Sequence, residues 1–234
     1  MIDDSLDLKE KTWSESLLNI KSIMDKHKIV FFLDSGTLLG AVRENKFIPW
    51  DNDIDLGVAD NSINHGTLRK ISDEAFAYGF DINCTVDGIS FRKRPNVEIN
   101  IKFYRHKAGI YQSKFVQYNT NNKFRIFMFN VCNGNYIYTR GYGLKYKIKK
   151  TIILFKPLYR YLPEWLFFVG IKEKTKKIVI PEKFFSTLCT TSFYGVDYYT
   201  PNDVVEYLVY RYGGDWGVPL INYDYFNDDR ALID

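Results

Sequence analysis

The spacing of apolar residues predicts a helix near the start of the chain. Apolar positions recur at intervals of three and four residues, which places them on one face of an amphipathic helix: Trp13, Leu17, Ile20 and Met24. The apolar run at 29–33 that follows is typical of a short buried strand. A second helix is predicted over His65–Gly79, because glycine commonly ends a helix.

Alternation of apolar and acidic residues predicts a half-buried strand between these two helices. Ile54, Leu56 and Val58 alternate with Asp53 and Asp55, so the two acids share one face of the strand. Runs of β-branched and aromatic residues predict further strands. They lie at 80–86, 89–92, 97–103, 124–131 and 136–139.

The C-terminal half combines a basic segment with a capped helix. Between residues 140 and 177, eleven Lys and Arg stand against two Glu. A last helix is predicted with Thr200 as its N-cap, Pro201 as its first residue and Gly213 just beyond its end. These patterns predict an α+β protein with a mixed β-sheet, flanking helices and a basic helical insertion. Its predicted parts are a core at 1–139, the insertion at 140–180, and a C-terminal helical part at 181–234 that packs on the core.

Composition narrows the class of protein. The 234 residues are 46% hydrophobic and include 18 Phe and 18 Tyr, which is too apolar for a disordered chain. Three widely spaced cysteines exclude a disulfide framework and a cysteine-based zinc finger. The acidic N-terminus lacks the apolar core of a signal peptide, and charges and prolines interrupt the apolar stretch Thr151–Ile171. We therefore expect a cytoplasmic protein without a spanning helix.

The candidate chemistry lies between the first predicted strand and the acidic one. Asp53 and Asp55 are two residues apart on a strand, about 7 Å, and Asp51 adds a third acid in phase. Such a set suits Mg²⁺ or Mn²⁺ bound by oxygens, whereas an unpaired acid inside an apolar strand is costly. Upstream, Gly36 and Thr37 stand at a strand-to-helix turn whose N–H groups favour a phosphate. The combination predicts metal-assisted phosphoryl or nucleotidyl transfer, against the common alternative of solvated strand-edge acids.

Two motifs in this region resemble a known family. The sequence GTLLGAVR at Gly36–Arg43 and the sequence IPWDNDIDL at Ile48–Leu56 are similar to the LicD-type family of the nucleotidyltransferase superfamily. That family includes bacterial phosphocholine transferases, fukutin and fukutin-related proteins. Asn52 departs from the Asp that many bacterial members carry, on the side of the strand away from the acids. The resemblance implies that 1–139 is a nucleotidyltransferase-like catalytic core.

The resemblance also implies an activity. Family members transfer a phospho-alcohol, such as phosphocholine or ribitol phosphate, from a CDP-linked donor onto a glycan hydroxyl with the help of a metal. Asp53 and Asp55 would be catalytic metal ligands, and Gly36 and Thr37 would hold a phosphate. The expected partners are therefore a CDP-linked donor and a glycan or lipid-linked glycan acceptor, and we expect no nucleic acid.

Four further residues are candidates for roles at this site. Glu98 is either the general base or a third metal ligand, or it belongs to an ordinary polar strand face. Arg43 either clamps phosphate oxygens or balances a helix C-terminus. Asp51 and Trp50 are candidate substrate contacts, although Trp50 also suits simple packing of its loop.

Other classes of function stay open at this point. A glycosyltransferase that holds a nucleotide-sugar through an Asp-x-Asp motif would explain Asp53 and Asp55, but not the Gly-Thr turn. A non-catalytic nucleotide-binding domain would use the basic segment 140–177 to dock on an anionic surface. That segment suits either a helix pair in the interface of an anionic membrane, at its inner face, or a helical subdomain packed on the core.

Overall fold

The computed structural model describes residues 2–59, 63–133, 135–155, 157 and 173–233. Within them, seven α-helices accompany two β-sheets. The helices are α1 (Ile2–Lys26), α2 (Ser35–Arg43), α3 (His65–Ala77), α4 (Lys123–Cys132), α5 (Leu144–Leu154), α6 (Val204–Tyr212) and α7 (Tyr225–Asp228). The strands are β1 (Phe32–Leu33), β2 (Ile54–Val58), β3 (Asp81–Thr85), β4 (Gly88–Lys93), β5 (Val97–Phe103), β6 (Arg105–Lys107), β7 (Ile110–Tyr118), β8 (Tyr136–Arg140), β9 (Glu173–Pro181), β10 (Leu188–Phe193), β11 (Val196–Pro201) and β12 (Leu232–Ile233).

The larger sheet is mixed, as the sequence predicts. Its strand order is β10-β11-β1-β2-β5-β4-β3-β8, with β1 parallel to β11 and β2 parallel to β5. The register pairs Asp55 with Asn100 and Gly57 with Lys102. Side chains alternate along a strand, so the acidic face of β2 continues onto the polar face of β5. The α+β class is confirmed.

The core forms between this sheet and the helices that pack on it. α1 contacts β5 and α3, and α3 contacts β3 and β8. The four apolar positions that predicted the first helix are all buried: Trp13, Leu17, Ile20 and Met24. The strand predicted at 97–103 is observed with those bounds, and the acidic strand is observed at Ile54–Val58, so Asp53 lies just before it rather than in it.

A second sheet, in the order β12-β9-β7-β6, extends from the end of β5. Its main contact is the nine-residue antiparallel pairing of β7 with β9. The sequence analysis missed both strands, and it predicted helix where β9 lies. β9 alternates Ile178 and Ile180, both buried, with more accessible neighbours, and β-branched residues of this kind favour a strand.

The strand predicted at 124–131 is wrong, because this segment is the helix α4. Asn122 caps it by accepting hydrogen bonds from the Phe124 and Arg125 backbone N–H groups (both 3.1 Å). Phe127, Met128 and Val131 are buried at helical spacing. The many aromatic residues of this segment favoured a strand in the sequence analysis. The Asn122 cap and the helical spacing of the buried residues instead favour a helix.

The C-terminal part is less helical than predicted. β10 and β11 form a hairpin whose two-residue turn, Tyr194-Gly195, has positive φ at both positions, and the hairpin joins the edge of the main sheet. Thr200 and Pro201 belong to β11, so the predicted start of the last helix is wrong. Asp203 is the N-cap of α6 and accepts from the Glu206 N–H (3.2 Å). The division into 1–139, 140–180 and 181–234 stays a prediction.

Within the described residues, no helix combines the length and the apolar character needed to cross a membrane. Most of the stretch Thr151–Ile171 lies outside those residues. The predicted helix pair there is described only through α5.

Candidate active site

The candidate site lies where the turn between β1 and α2 faces the chain that enters β2. Asp34 ends this turn as the N-cap of α2, with its carboxylate accepting from the Ser35 backbone N–H (2.8 Å). A cavity of about 950 Å³ opens beside it, lined by residues of α2, 48–55, β5 and 212–225. This volume is typical of a site for a small molecule.

The three aspartates of the acidic motif share one wall of this cavity. β2 begins at Ile54, so Asp55 lies in the strand while Asp51 and Asp53 lie in the loop before it. Burial raises the pKa of all three carboxyls, and the charge of a neighbouring aspartate raises each further. Burial brings the pKa of Asp55 to about 6, although the Lys102 ammonium opposes this shift. Negative charges held together in this way favour a bound cation.

β5 supplies a nitrogen to two of these carboxylates. The Asn100 amide donates to Asp53 Oδ2 (2.7 Å). The Lys102 ammonium lies 3.4 Å from Asp55 Oδ1, and although burial would lower the pKa of Lys102, this carboxylate raises it. Both side chains line the cavity, so its acidic wall also carries a fixed positive charge.

Arg43 brings a second positive charge to the same cavity. Its side chain is only 8% exposed, and its Nε donates to Glu44 Oε1 (2.8 Å). Nη2 is buried and has no hydrogen-bond partner among the described residues. A buried guanidinium N–H without a partner is costly, and an anionic ligand would satisfy it.

A buried network of hydrogen bonds and ion pairs fixes the turn between β1 and α2 on the side of the core. The Asp34 carboxylate accepts from Tyr104 (2.6 Å), Tyr207 (2.8 Å) and Arg211 Nη1 (3.0 Å). Burial would raise the pKa of Asp34, but Arg211 and its other donors lower it. Arg211 also binds Asp229 through Nε and Nη2. α6 is therefore tied to the start of α2.

The two predicted phosphate-binding residues, Gly36 and Thr37, both lie at the start of α2, but their surroundings differ. Gly36 lines the cavity, and the Asp51 carboxylate packs so closely on it that a Cβ would collide. Thr37 is buried, and its hydroxyl accepts from the Asp55 backbone N–H (2.8 Å), so its side chain holds β2 rather than facing the cavity. Trp50 lines the cavity and is 39% exposed.

Glu98 lies outside this cavity. Its carboxylate accepts from Arg92 (2.7 Å) and lines a second cavity of about 710 Å³. Asp51 and Asn52 line both cavities and form the partition between them. Glu98 and the other acids are thus neighbours across this partition rather than one ligand set.

The acids fit a divalent cation with few protein ligands. In the described part of the chain, no three His, Cys, Asp or Glu side chains are close enough to form a metal site. Mg²⁺, however, is usually bound by one or two carboxylates together with substrate phosphates. The oxygen-rich wall of Asp51, Asp53 and Asp55 suits that arrangement, and the three-ligand site stays a prediction.

Comparison with known proteins assigns the family. A family model described as "LicD/FKTN/FKRP, nucleotidyltransferase domain" matches residues 28–203, which is most of the chain. The chain belongs to the LicD family. It is 21% identical over 217 residues to ribitol-5-phosphate transferase FKTN of Macaca fascicularis, across 92% of this chain and 35% of that protein. It is 41% identical over 56 residues to lipopolysaccharide cholinephosphotransferase LicD of Haemophilus influenzae, across 21% of each chain.

The chain spans about a third of the length of the FKTN proteins it matches. The matched LicD domain ends before α6. The C-terminal segment nevertheless forms a wall of the cavity, with Asp215 and Trp216 among its lining residues.

Three charged residues of this LicD-family site were missed by sequence reasoning. Asp34 precedes Ser-Gly at the end of a strand, which is an N-cap signal. Arg211 follows Tyr207 by four residues on the buried face of α6, and a charge at such a position signals a buried partner. Lys102 shares the polar face of β5 with Glu98, and only the register with β2 shows that it meets Asp55.

Proposed function

We propose that this chain is a metal-dependent phosphotransferase of the LicD type. It moves a phospho-alcohol, such as phosphocholine or ribitol phosphate, from a CDP-linked donor onto a hydroxyl of a cell-surface glycan. Its relatives FKTN and LicD are a ribitol-5-phosphate transferase and a cholinephosphotransferase. We also propose that it acts in the cytoplasm, where CDP-linked donors would reach it.

One observation carries this proposal. The acidic wall of Asp51, Asp53 and Asp55, the N-terminal turn of α2 at Gly36 and the side chain of Arg43 line one cavity, and Nη2 of Arg43 has no hydrogen-bond partner among the described residues. Acids of this kind hold a metal, and a guanidinium holds phosphate oxygens. A pyrophosphate-linked donor with its metal supplies both ligands at once.

The two cavities suggest where the substrates bind. In the proposed reaction, the acceptor hydroxyl oxygen attacks the phosphorus that carries the alcohol, the bond from that phosphorus to the bridging oxygen breaks, and CMP leaves. The donor would lie in the larger cavity and the acceptor in the second one. Glu98 would then face the acceptor, and as general base it would have to exchange its contact with Arg92 for the hydroxyl proton.

Mg²⁺ or Mn²⁺ is the proposed cofactor, held by Asp53 and Asp55 with Asp51 beside them. When bound, the ion would stabilise the charge that develops on the phosphate oxygens. Arg43 would orient the donor, and the N-terminus of α2 at Gly36 would face its phosphate. The aromatic residues of 212–225 and Trp50 would enclose the organic part of the donor.

The test is release of CMP from CDP-choline and CDP-ribitol, with UDP-sugars as comparators, in Mg²⁺ and in EDTA. We expect one CDP-linked donor to be consumed only with metal. Asp53→Asn and Asp55→Asn should each lower turnover by roughly 100-fold or more at unchanged melting temperature. Asp197→Asn, at an exposed position of β11, is the matched control.

Two other outcomes would favour a different function for this chain. Consumption of a UDP-sugar alone would favour the Asp-x-Asp glycosyltransferase, and nucleotide binding without turnover would favour a non-catalytic domain. Retention of more than about a tenth of wild-type turnover in either variant would contradict the role of that acid in transition-state stabilisation.

A further inference from the structure

Lys102 is a positively charged residue built into the acidic wall. Its ammonium lies 3.4 Å from Asp55 Oδ1 and donates to Ser35 Oγ (3.2 Å) and to the Tyr225 hydroxyl (3.4 Å). It also lies 4.8 Å from the centre of the Tyr225 ring. The side chain is 18% exposed, and it lines the larger cavity.

The two oxygens that accept hydrogen bonds from Lys102 also accept hydrogen bonds from Arg211. Arg211 Nη2 donates to the Tyr225 hydroxyl (2.8 Å) and to Ser35 Oγ (3.3 Å), the same two oxygens that Lys102 contacts. The Ser35 and Tyr225 side chains therefore cannot move toward solvent together with Lys102 without breaking their hydrogen bonds to Arg211. A long lysine side chain normally loses rotamer freedom when it binds a ligand, and here that freedom is already restricted.

Charge along the wall divides into two parts. Lys102 balances Asp55, whereas Asn100, the partner of Asp53, carries no charge. Asp51 and Asp53 form no ion pair with a lysine or arginine side chain among the described residues, so this part of the wall keeps negative charge for the divalent cation that Asp53 and Asp55 would hold. On β5, the polar face opposite the acids carries Glu98, Asn100 and Lys102, and Glu98 is engaged by Arg92.

We propose that the Lys102 ammonium is a resident cation of the cavity that binds a phosphate oxygen of the donor. This inference rests on the proposed function for the identity of the donor. Two consequences follow. Lys102 competes with a metal ion for Asp55, and it attracts an anionic ligand even when no metal is present.

The two consequences predict opposite changes in affinity for metal and for anion when the ammonium is removed, so they can be tested. Removing the ammonium should strengthen metal binding, because Asp55 gains an uncompensated charge, and should weaken anion binding. A residue that only supports the fold would weaken both when it is removed. The variants are Lys102→Met and Lys102→Gln, of which the second keeps a polar group if the first fails to fold.

The probes are Mn²⁺ alone, measured by the paramagnetic resonance of the unbound ion, and inorganic pyrophosphate in EDTA, measured by calorimetry. We expect each variant to bind Mn²⁺ about tenfold more tightly or to gain a second ion, and to bind pyrophosphate about tenfold more weakly. Lys102→Arg should retain pyrophosphate binding, because it retains the charge. The control is Lys107→Met, which removes an exposed lysine of β6 and should change neither affinity.

Unchanged or weaker Mn²⁺ binding in both variants would overturn the proposal, and so would unchanged pyrophosphate binding. Neither measurement requires turnover. A wild-type chain that transfers nothing from any CDP-linked donor would therefore refute the proposed function, while the two binding experiments would still decide the role of Lys102.

Discussion

At the scale of single residues, Arg43 and Asp34 show two ways to bury a charge. The Arg43 guanidinium keeps one buried nitrogen without a partner among the described residues, and the Arg43 side chain lines the cavity. Asp34 is surrounded by donors on every side and faces the core. A satisfied buried charge holds a structure together, whereas an unsatisfied one is prepared to bind.

For Arg43 we predict a loss of donor binding. Arg43→Met should raise the dissociation constant for the CDP-linked donor by roughly 10- to 100-fold with little change in melting temperature, because the lost contact is to the ligand. Arg43→Lys should restore only part of it, since an ammonium cannot make the two-pronged contact. Arg69→Met, at an exposed position of α3, is the control. Equal affinity of Arg43→Met and wild type would remove Arg43 from the donor site.

For Asp34 we predict a pH-dependent stability. Its pKa is lowered in the folded protein, so its stabilising effect is complete above the unfolded value of about 3.9 and is lost as the pH falls through the folded value. The free energy of unfolding, measured in urea, should therefore fall more steeply below about pH 4 in wild type than in Asp34→Asn. The exposed-site variant Asp197→Asn should follow wild type. Parallel curves for all three would show that Asp34 does not contribute.

At the scale of elements, the short helix α2 connects the site to the sheet. It lies between β1 and β2, and the chain approaches it closely at two glycines. A Cβ at Gly36 would collide with the Asp51 carboxylate, and one at Gly40 would collide with the Lys46 carbonyl oxygen. The motif at Gly36–Arg43 thus encodes close packing at two positions of α2.

Gly36→Ala tests this packing. Alanine favours a helix by about 1 kcal/mol over glycine, so local propensity alone would stabilise the protein. We instead expect a loss of about 1–3 kcal/mol in unfolding free energy and a loss of turnover, because Asp51 must move. Gly217→Ala, which meets no atom within 4 Å, is the control for adding a methyl group. A more stable and fully active Gly36→Ala variant would contradict the close contact.

At the scale of the whole molecule, the cavity is assembled from distant parts of the chain. α2, the acidic loop, β5 and 212–225 all contribute to its wall. α5 contributes no residue to this cavity, although its Lys145 and Tyr146 line the second one, and it exposes apolar side chains beside its lysines. Leu144, Ile148 and Leu154 are exposed, and Tyr146 is the buried residue of this helix.

A vesicle-binding experiment can decide whether the basic segment 140–177 binds a membrane or packs on the core. Exposed apolar and basic side chains on one helix suit the interface of an anionic membrane, where each lysine contributes about 1 kcal/mol. We expect co-sedimentation with phosphatidylserine vesicles that weakens at high salt. It should weaken further when Lys145, Lys147 and Lys150 are changed to Gln. Lys149 is retained, because its ammonium lies over two rings, those of Phe127 and Tyr146, whereas the Lys145 ammonium lies over the Tyr146 ring alone.

The matched control changes three lysines outside the segment to Gln: Lys70, Lys107 and Lys183. It should leave vesicle binding unchanged. Binding that is insensitive to salt, or equal in both triple variants, would favour a segment that only packs on the protein.

The sequence determined what is local in the chain. The acids, the Gly-Thr turn and Arg43 lie within 36–55, so their spacing and types already indicated a shared site. β2 and β5 were also predictable, because their apolar residues alternate without interruption. β9, β10 and α4 were not, since aromatic and β-branched runs suit several structures until pairing or a cap decides between them.

The tertiary structure decided which charges meet. Arg211 binds Asp34 across 177 positions of sequence, and Lys102 meets Asp55 only because β2 and β5 pair in one register. A shift of one residue in that register would turn Lys102 to the opposite face. Spacing along the chain cannot specify such a register, because it depends on the burial of all the strands together. The acids and Arg43 were therefore predictable from the sequence, whereas the contacts of Lys102 and Arg211 with their carboxylates depended on the fold.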